Sequence, residues 1–413
     1  MSSRLVVQFL VVVARVIAAV GRVLVRPFLV GATPPPVPAA GAPVRVEVGP
    51  TRQVVPGPGV VGGTRFQNAN NNLDVIDHDG SRYLALRTSS HHWASRSTVL
   101  VVLRSDDGGT TWSTETEVRP GRDAREPRFL VVGDRLFLYY FEAGTNPFRF
   151  QPGRILGMHR DADGAWAQPR VVSPEDYVVW RTRTVDGVPY MVRYRGGDDA
   201  FSRGDAAIDV ELVTTDDGYD WRPLDGADAV VHTGGCGETD FALDGDGRLW
   251  AVMRNEAGER GVFGSLLATA PPDDLTNWEV VDDPRKYDSP LVFAHGGEVW
   301  VLARRQVAFD GRYDLGARRF GRNVQLAVMQ LAYWVTPKRL ALWRVDRDAR
   351  RVDWVVDLPS RGDTAFPGIV WDGPDTVVVY NYSSPPGDDS IPWIAGQVGP
   401  TNIYATTITL PSA

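Results

Sequence analysis

Glu238 and Arg254 stand 16 residues apart, and the stretch between them has the form of a β-hairpin. Alternating apolar residues run into the turn Asp244-Gly245-Asp246-Gly247, and Leu249 to Met253 run out of it. An antiparallel hairpin brings its open ends together, so a carboxylate and a guanidinium are held side by side away from the turn. Such a pair is either a structural ion pair or half of an acid/base or anion-binding site.

Other hairpins repeat the pattern. Seven residues after a turn glycine, Gly80 leads to Arg87, Gly133 to Tyr140, Gly187 to Tyr194, Gly247 to Arg254, Gly297 to Arg304 and Gly373 to Tyr380. Side chains alternate along a strand, so equal offsets in equivalent strands predict equal orientation. Three arginines and three tyrosines are thereby expected at one level of the fold.

The elements that must position them are strands. Residues 44–413 are rich in Gly, Pro and Trp, and their apolar runs are short. Trp112, Trp166, Trp221 and Trp278 each follow a polar turn about 55 residues apart, and Trp354 follows after a longer interval. An insertion within 306–340 accounts for the difference. A period of that size with two hairpins per unit predicts four-stranded antiparallel blades, and six glycine hairpins predict a six-bladed β-propeller. The last strand, 402–410, is expected to pair with residues near 45–60 and close the ring, which removes exposed sheet edges. The glycine and Trp turns then share one face. Glu238, Arg254 and their equivalents lie towards the other, where propellers usually bind ligands.

The N-terminus is different. Residues 1–31 predict an apolar helix whose polar members, Arg4, Gln8, Arg15, Arg22 and Arg26, fall in one stripe about 40° wide. An interfacial helix with snorkelling arginines fits the stripe. A spanning anchor fits the length, but Arg15 near its middle is costly. A signal peptide fits poorly. Membrane association is the favoured expectation, with a cytoplasmic protein the alternative. Residues 32–43, ATPPPVPAAGAP, are expected to be a stiff linker.

Composition excludes some functions. A net charge of −7 argues against a nucleic-acid partner. Nearly every basic residue is Arg, the two lysines being Lys286 and Lys338. The single Cys236 excludes an intramolecular disulfide and any cysteine-cluster metal site. It is read as a small residue at a strand start rather than a nucleophile. No metal or cofactor is expected.

Two Trp turns are sharper. SDDGGTTW (105–112) fits the Asp-box pattern Ser/Thr-x-Asp-x-Gly-x-Thr-Trp, and TTDDGYDW (214–221) fits except at Asp220. The aspartate can bond turn amides while the Trp packs between strands, so the box speaks for fold, not activity. From about residue 55 to 412 the chain resembles the sialidase (neuraminidase) superfamily, most of all bacterial sialidase-like Asp-box proteins. NANNNLDV (68–75), LALRTSSHH (84–92), REPRF (125–129), VVWRT (178–182) and GDTAFPGIVW (362–371) carry the resemblance beside the Glu238 hairpin.

The resemblance implies three arginines that clamp a substrate carboxylate, a tyrosine nucleophile, a glutamate that activates it and an aspartate acid/base. Glu238 and Arg254 match the family Glu and second Arg, and Arg304 matches the third. The rest departs. Asn68-Ala69-Asn70 lies where the first arginine belongs, no Asp occurs between Arg87 and Ser105, and Phe366 holds the nucleophile's place. A phenyl ring cannot run the covalent route. Arg87 could supply the third guanidinium, Arg125 and Arg181 further contacts, and Tyr380 or Tyr382 a hydroxyl. His92 or Asp363 could supply a proton, and Glu238 with Asp363 would make a carboxyl pair for inversion. The expected function is a sialidase-like glycoside hydrolase acting on an anionic sugar, sialic-acid-like or uronic-acid-like. The alternative is a carbohydrate-binding or scaffold propeller that has lost catalysis.

Overall fold

Short runs of Val, Leu, Phe and Tyr between glycine-bearing turns build six antiparallel sheets, closed into a ring in the computed structural model. The structure describes residues 3–146, 149–196, 207–224, 226–259, 261–387 and 390–412, with side chains described from residue 11. Hairpin turns follow the expected chemistry. Asp79 and Gly80 both take positive φ, 48° and 73°, which a two-residue turn with right-handed twist requires.

Each blade starts at the axis and runs outwards. Blade 1 has strands Ala69–His78, Ser81–Ser89, Val99–Ser105 and Trp112–Val118, with Val60–Val61 added in parallel outside. Blade 4 has Cys236–Leu243, Leu249–Glu259, Val262–Ala270 and Glu279–Asp283. Blade 5 has Asp288–His295, Glu298–Gln306, Lys338–Asp346 and Arg351–Asp357. Blade 6 closes the ring as anticipated: Asn402–Thr409, from the C-terminus, pairs with Glu47–Val55. Blades 2 and 3 begin at Asp123–Val132 and Tyr177–Val185. Blade 3 carries an extra strand, Val230–Gly234, on Ile208–Thr214. Apolar faces of neighbouring blades interlock, as where Trp250 and Val252 of blade 4 meet Trp343 and Val301 of blade 5.

The polar turns brace the outer rim. In the turn before Trp112, Asp107 accepts from the amides of Thr110 (3.0 Å) and Thr111 (2.9 Å), and Trp112 Nε1 donates to the Gly109 carbonyl (2.9 Å). Asp217 accepts from the amides of Tyr219 and Asp220, both at 2.8 Å. The pair Thr215–Asp217 mirrors Ser105–Asp107 one residue later than the matched pattern places it, and Asp216 instead pairs with Arg222 at 3.0 Å.

Among the described residues three α-helices lie on the opposite face. Helix α1 is Ser3–Leu29, α2 is Arg322–Trp334 and α3 is Trp393–Val398. The insertion in the fifth unit is real: α2 lies between the second and third strands of blade 5. Helix α1 packs on α2 and α3, burying Ala14, Ala18 and Val25, the last against Leu315, Val328 and Ala332. Gly21 allows this approach, because a Cβ there would stand 2.6 Å from Val335. The helix thus hides part of its apolar surface on its own propeller, while Val16, Val23 and Leu24 stay exposed. Arg4 and Gln8 lie outside the residues whose side chains are described. Among the described residues no helix is long and apolar enough to cross a membrane. Residues 32–43 are not a free spacer. Arg312 donates to the Pro35 carbonyl (3.0 Å), and the Gly41 amide donates to Asp353 (3.1 Å).

Candidate functional site

The innermost strand of every blade breaks register once, and these breaks build the site. The ladders skip at Asn71/Leu73, Arg125/Arg128, Val179/Arg181, Cys236/Thr239, Asp288/Leu291 and Ala365/Gly368. Each bulge gives one residue to the ring around the axis: Asn72, Glu126, Trp180, Glu238, Ser289 and Phe366. Bulges re-aim side chains and relieve a residue of ladder bonding. Pro127, Pro290 and Pro367 occupy three of them, where an absent N–H costs nothing. Asn72, Glu126, Ser289 and Phe366 take positive φ, between 44° and 53°, an uncommon conformation that must be held by its surroundings.

Glu238 and Arg254 meet as the hairpin predicts. Arg254 Nη1 donates to Glu238 Oε1 at 2.5 Å, and the Ser289 amide donates to Oε2 at 2.7 Å. Arg254 also pairs with Glu256 (2.6 Å) and Asp288 (2.8 Å). Asp288 holds Arg304 at 3.0 Å and accepts from the Tyr333 hydroxyl of α2. Lys286 meets Glu256 at 2.5 Å and lies 3.5 Å from the centre of the Tyr313 ring. Burial opposes the charge on Asp288, but Arg254, Lys286 and Arg304 together hold its carboxyl well below the usual range. Three cations and three carboxylates balance in this network.

A second network flanks the first. Arg87 is fully buried, with Nη2 2.8 Å from Asp123 Oδ1. Asp123 also takes Arg125 at 2.5 Å. His92 Nδ1 lies 2.6 Å from Asp363 Oδ2, and Asp363 Oδ1 accepts from the Tyr382 hydroxyl (3.1 Å) and Trp393 Nε1 (3.2 Å). Burial lowers the His92 pKa, against the raising pull of Asp363.

Glu126 stands between the networks. Burial pushes its carboxyl up to about 7, against the pull of Arg128 and with a further push from the charge of Glu238. Both its oxygens accept from Asn72 Nδ2, at 3.1 and 3.0 Å. Beyond it, Trp180 and Phe366 pack at 5.2 Å between ring centres, with the Arg128 guanidinium 5.3 Å from each. This plug separates the site from an axial cavity of about 340 Å³ open towards the hairpin turns.

The structure brings together Glu238, Arg254 and Arg304, and nearby Arg125, His92 and Asp363. It moves three expected residues elsewhere. Arg87 is locked by Asp123, so two guanidiniums rather than three gather around Asp288, one of them on Glu238. Arg181 falls beyond the bulge, lines the axial cavity and pairs with Asp240 at 3.3 Å. Tyr380 packs edge-on to Trp112 on the Asp-box side, 6.1 Å between ring centres. Its expected place belongs to Tyr382: Ala365 pairs with Tyr382 as Asp288 pairs with Arg304, each just before a bulge. Tyr140 likewise packs into the core between blades 1 and 2. Tyr194 does reach the Glu238 neighbourhood, against Gly237. Glu126, Glu256, Asp288 and Tyr333 were missed. The signal for Glu126 was its Pro127, which aligns with Ser289-Pro290 and Phe366-Pro367.

The ring is a six-bladed β-propeller, a fold similar to that of sialidases. Among solved structures, the chain is similar to a protein of unknown function from Dyadobacter fermentans (TM-score 0.58, 13% identity, 89% of this chain and 99% of that one). It is similar to Trypanosoma rangeli sialidase in complex with sialic acid (TM-score 0.52, 12% identity, 84% and 55%) and to the phage phi92 endosialidase (0.55, 13%, 88% and 70%). No protein-family model and no curated protein matches the sequence. At such identities the likeness is one of fold.

Proposed function

We propose that this propeller is a glycoside hydrolase acting on an anionic glycan, with Glu126 as acid and Glu238 as its partner carboxylate. The observation that carries the reading is the pair itself. Burial pushes one carboxyl up to about 7, while the other is paired with Arg254 and accepts from the Ser289 amide. Two carboxyls in unlike surroundings are what acid/base cleavage of a glycosidic bond needs. Glu126 gives its proton to the departing oxygen, and Glu238 takes one from an attacking water. With Phe366 at the axis, water rather than a side-chain hydroxyl is the nucleophile. The anionic preference follows from Arg254. A substrate carboxylate that takes the place of Glu238 on this guanidinium also frees Glu238 to act as base. The sialic acid bound by the Trypanosoma rangeli enzyme supports this ligand class. A groove of about 500 Å³ on the same face, lined by Arg96, Arg122, Gln151 and Glu175, offers room for further sugar units.

A panel of aryl sialosides and uronides tests the reading. Turnover that vanishes in Glu238→Gln and in Glu126→Gln, with the fold kept, supports it. Saccharide binding without turnover on any substrate supports the second reading, a binding propeller. That reading is favoured by the Trp180–Phe366 plug and by the charge balance of both ion networks. Membrane attachment through α1 is proposed on its exposed Val16, Val23 and Leu24 beside Arg15 and Arg22. Failure of the full chain to co-sediment with anionic vesicles refutes it.

A further inference from the structure

His232, Cys236 and Glu259 lie on three strands that meet at the entrance of blade 4. His232 is on the extra strand Val230–Gly234, Cys236 begins the first strand of blade 4, and Glu259 ends the second. The donor atoms of these three side chains all stand within 4.8 Å of one another. His232 Nε2 is 2.9 Å from Glu259 Oε2, which also accepts from the Gly235 amide at 2.9 Å. Cys236 is fully buried, and the side chains of His232 and Glu259 are only 12% and 11% exposed. In a tetrahedral site with bonds of about 2.0–2.3 Å, donors stand roughly 3.3–3.8 Å apart, so only a small contraction is required.

The surroundings are shaped for this cluster. In Gly234-Gly235-Cys236-Gly237, a Cβ on Gly234 would fall 1.7 Å from Glu259 Oε2 and 2.9 Å from His232 Nε2. A Cβ on Gly235 would fall 2.5 Å from Asn255 Oδ1. Asn255 pairs with Cys236 across the ladder and is fully buried, and its Oδ1 accepts no hydrogen bond among the described residues. A buried acceptor without a donor beside three converging ligands points to a cation, because the acceptor gains a partner only when one arrives.

We propose that His232, Cys236 and Glu259 form a binding site for a divalent transition metal of the zinc class. Imidazole, thiolate and carboxylate suit that class better than magnesium or calcium, whose ligands are oxygens. The absence of a second cysteine excludes a cysteine cluster but not this mixed set. Binding replaces the thiol proton of Cys236 and the hydrogen bond between His232 and Glu259 with metal bonds, and it releases protons to solvent. Three protein donors leave a fourth position for water or for Asn255 Oδ1. Cys236 lies two residues before Glu238, and Glu259 five residues after Arg254. The ion therefore clips together the ligand-side ends of the two strands that carry the Glu238–Arg254 pair.

The test uses the full chain, stripped with a chelator and titrated with Co(II) and then Zn(II). The expected result is one equivalent of Co(II), with a near-ultraviolet thiolate-to-cobalt band that Zn(II) abolishes. Cys236→Ser should remove the band. His232→Ala and Glu259→Gln should weaken binding beyond the roughly 10–100-fold that loss of an outer-shell partner costs. Glu259→Gln, which keeps the shape of the side chain, guards against variants that fail to fold, with circular dichroism as the control. Zn(II) should also raise the melting temperature of the wild type but not of Cys236→Ser. No thiolate band, or equal affinity in the wild type and all three variants, overturns the proposal. Glu238→Gln should keep the metal, so loss of turnover and loss of metal are read separately.

Discussion

Replacing Glu126 with Gln isolates the cost of holding a carboxyl in a dry, negatively biased place. Burial raises this group from 4.5 to about 7, so the folded chain binds its proton more tightly than the unfolded chain does. The stabilisation from that proton is fully present below about pH 4.5 and is lost as the pH rises through about 7. A shift of this size is worth about 3 kcal/mol at most, at 1.36 kcal/mol per unit. Gln has the same shape and never ionises, and its Oε1 can still accept from Asn72. The variant should therefore match the wild type at pH 4–5 and become more stable than it at pH 8. For a chain of this length, with about 2 cal/mol/K per residue of unfolding entropy, the gain amounts to roughly 4 °C in melting temperature. Thermal unfolding of both proteins from pH 4 to 9 measures the difference, and titrations common to both cancel. Turnover should be lost in the same variant, a gain in stability bought with function. A melting-temperature difference that stays flat with pH, or that favours the wild type more at pH 8 than at pH 5, refutes the assignment of Glu126.

Three further outcomes are expected. Asp288→Asn leaves Arg254 and Arg304 without their shared anion, so it should cost about 3–5 kcal/mol, read as a lower denaturant midpoint. Phe366→Tyr places a hydroxyl at the axis beside Trp180. Stability should change by less than about 1.5 kcal/mol, as for a nearly isosteric swap, and a fluorinated sialoside should label the variant covalently but not the wild type. Lys338 donates from Nζ to the carbonyls of Tyr333 (2.5 Å) and Thr336 (2.9 Å) at the end of α2. Lys338→Met should remove both bonds, while the Thr336 hydroxyl (3.1 Å) still serves the Tyr333 carbonyl and the Trp393 amide (3.1 Å) the Thr336 carbonyl, so it should cost about 1–3 kcal/mol in all and speed amide exchange in α2 first.

Position along a strand could be counted from the turns only where the turns were alike. In blades 1 and 5 a two-residue turn ends on its glycine, so the count of seven reaches Arg87 and Arg304 opposite the residue before the bulge. In blade 6 the strands separate between Trp371 and Val377, and Gly373 stands near the start of that wider turn. The same count therefore stops at Tyr380, two residues short of Tyr382. The ring itself tolerates such slips, because it depends on the number of hairpins and on closure by 402–409. The site does not, because two residues along a strand keep the face but carry the side chain about 7 Å towards the turns. Two further facts lay outside any pattern of spacing. Whether an arginine serves a ligand or its own fold depends on which carboxylate the neighbouring blade supplies, and Asp123 decides it for Arg87. Whether a carboxyl is an acid or an anion depends on what surrounds it. Glu126 and Glu238 occupy equivalent bulges, but Glu126 is raised by burial and takes its hydrogen bonds from the Asn72 amide, while Glu238 is paired with Arg254.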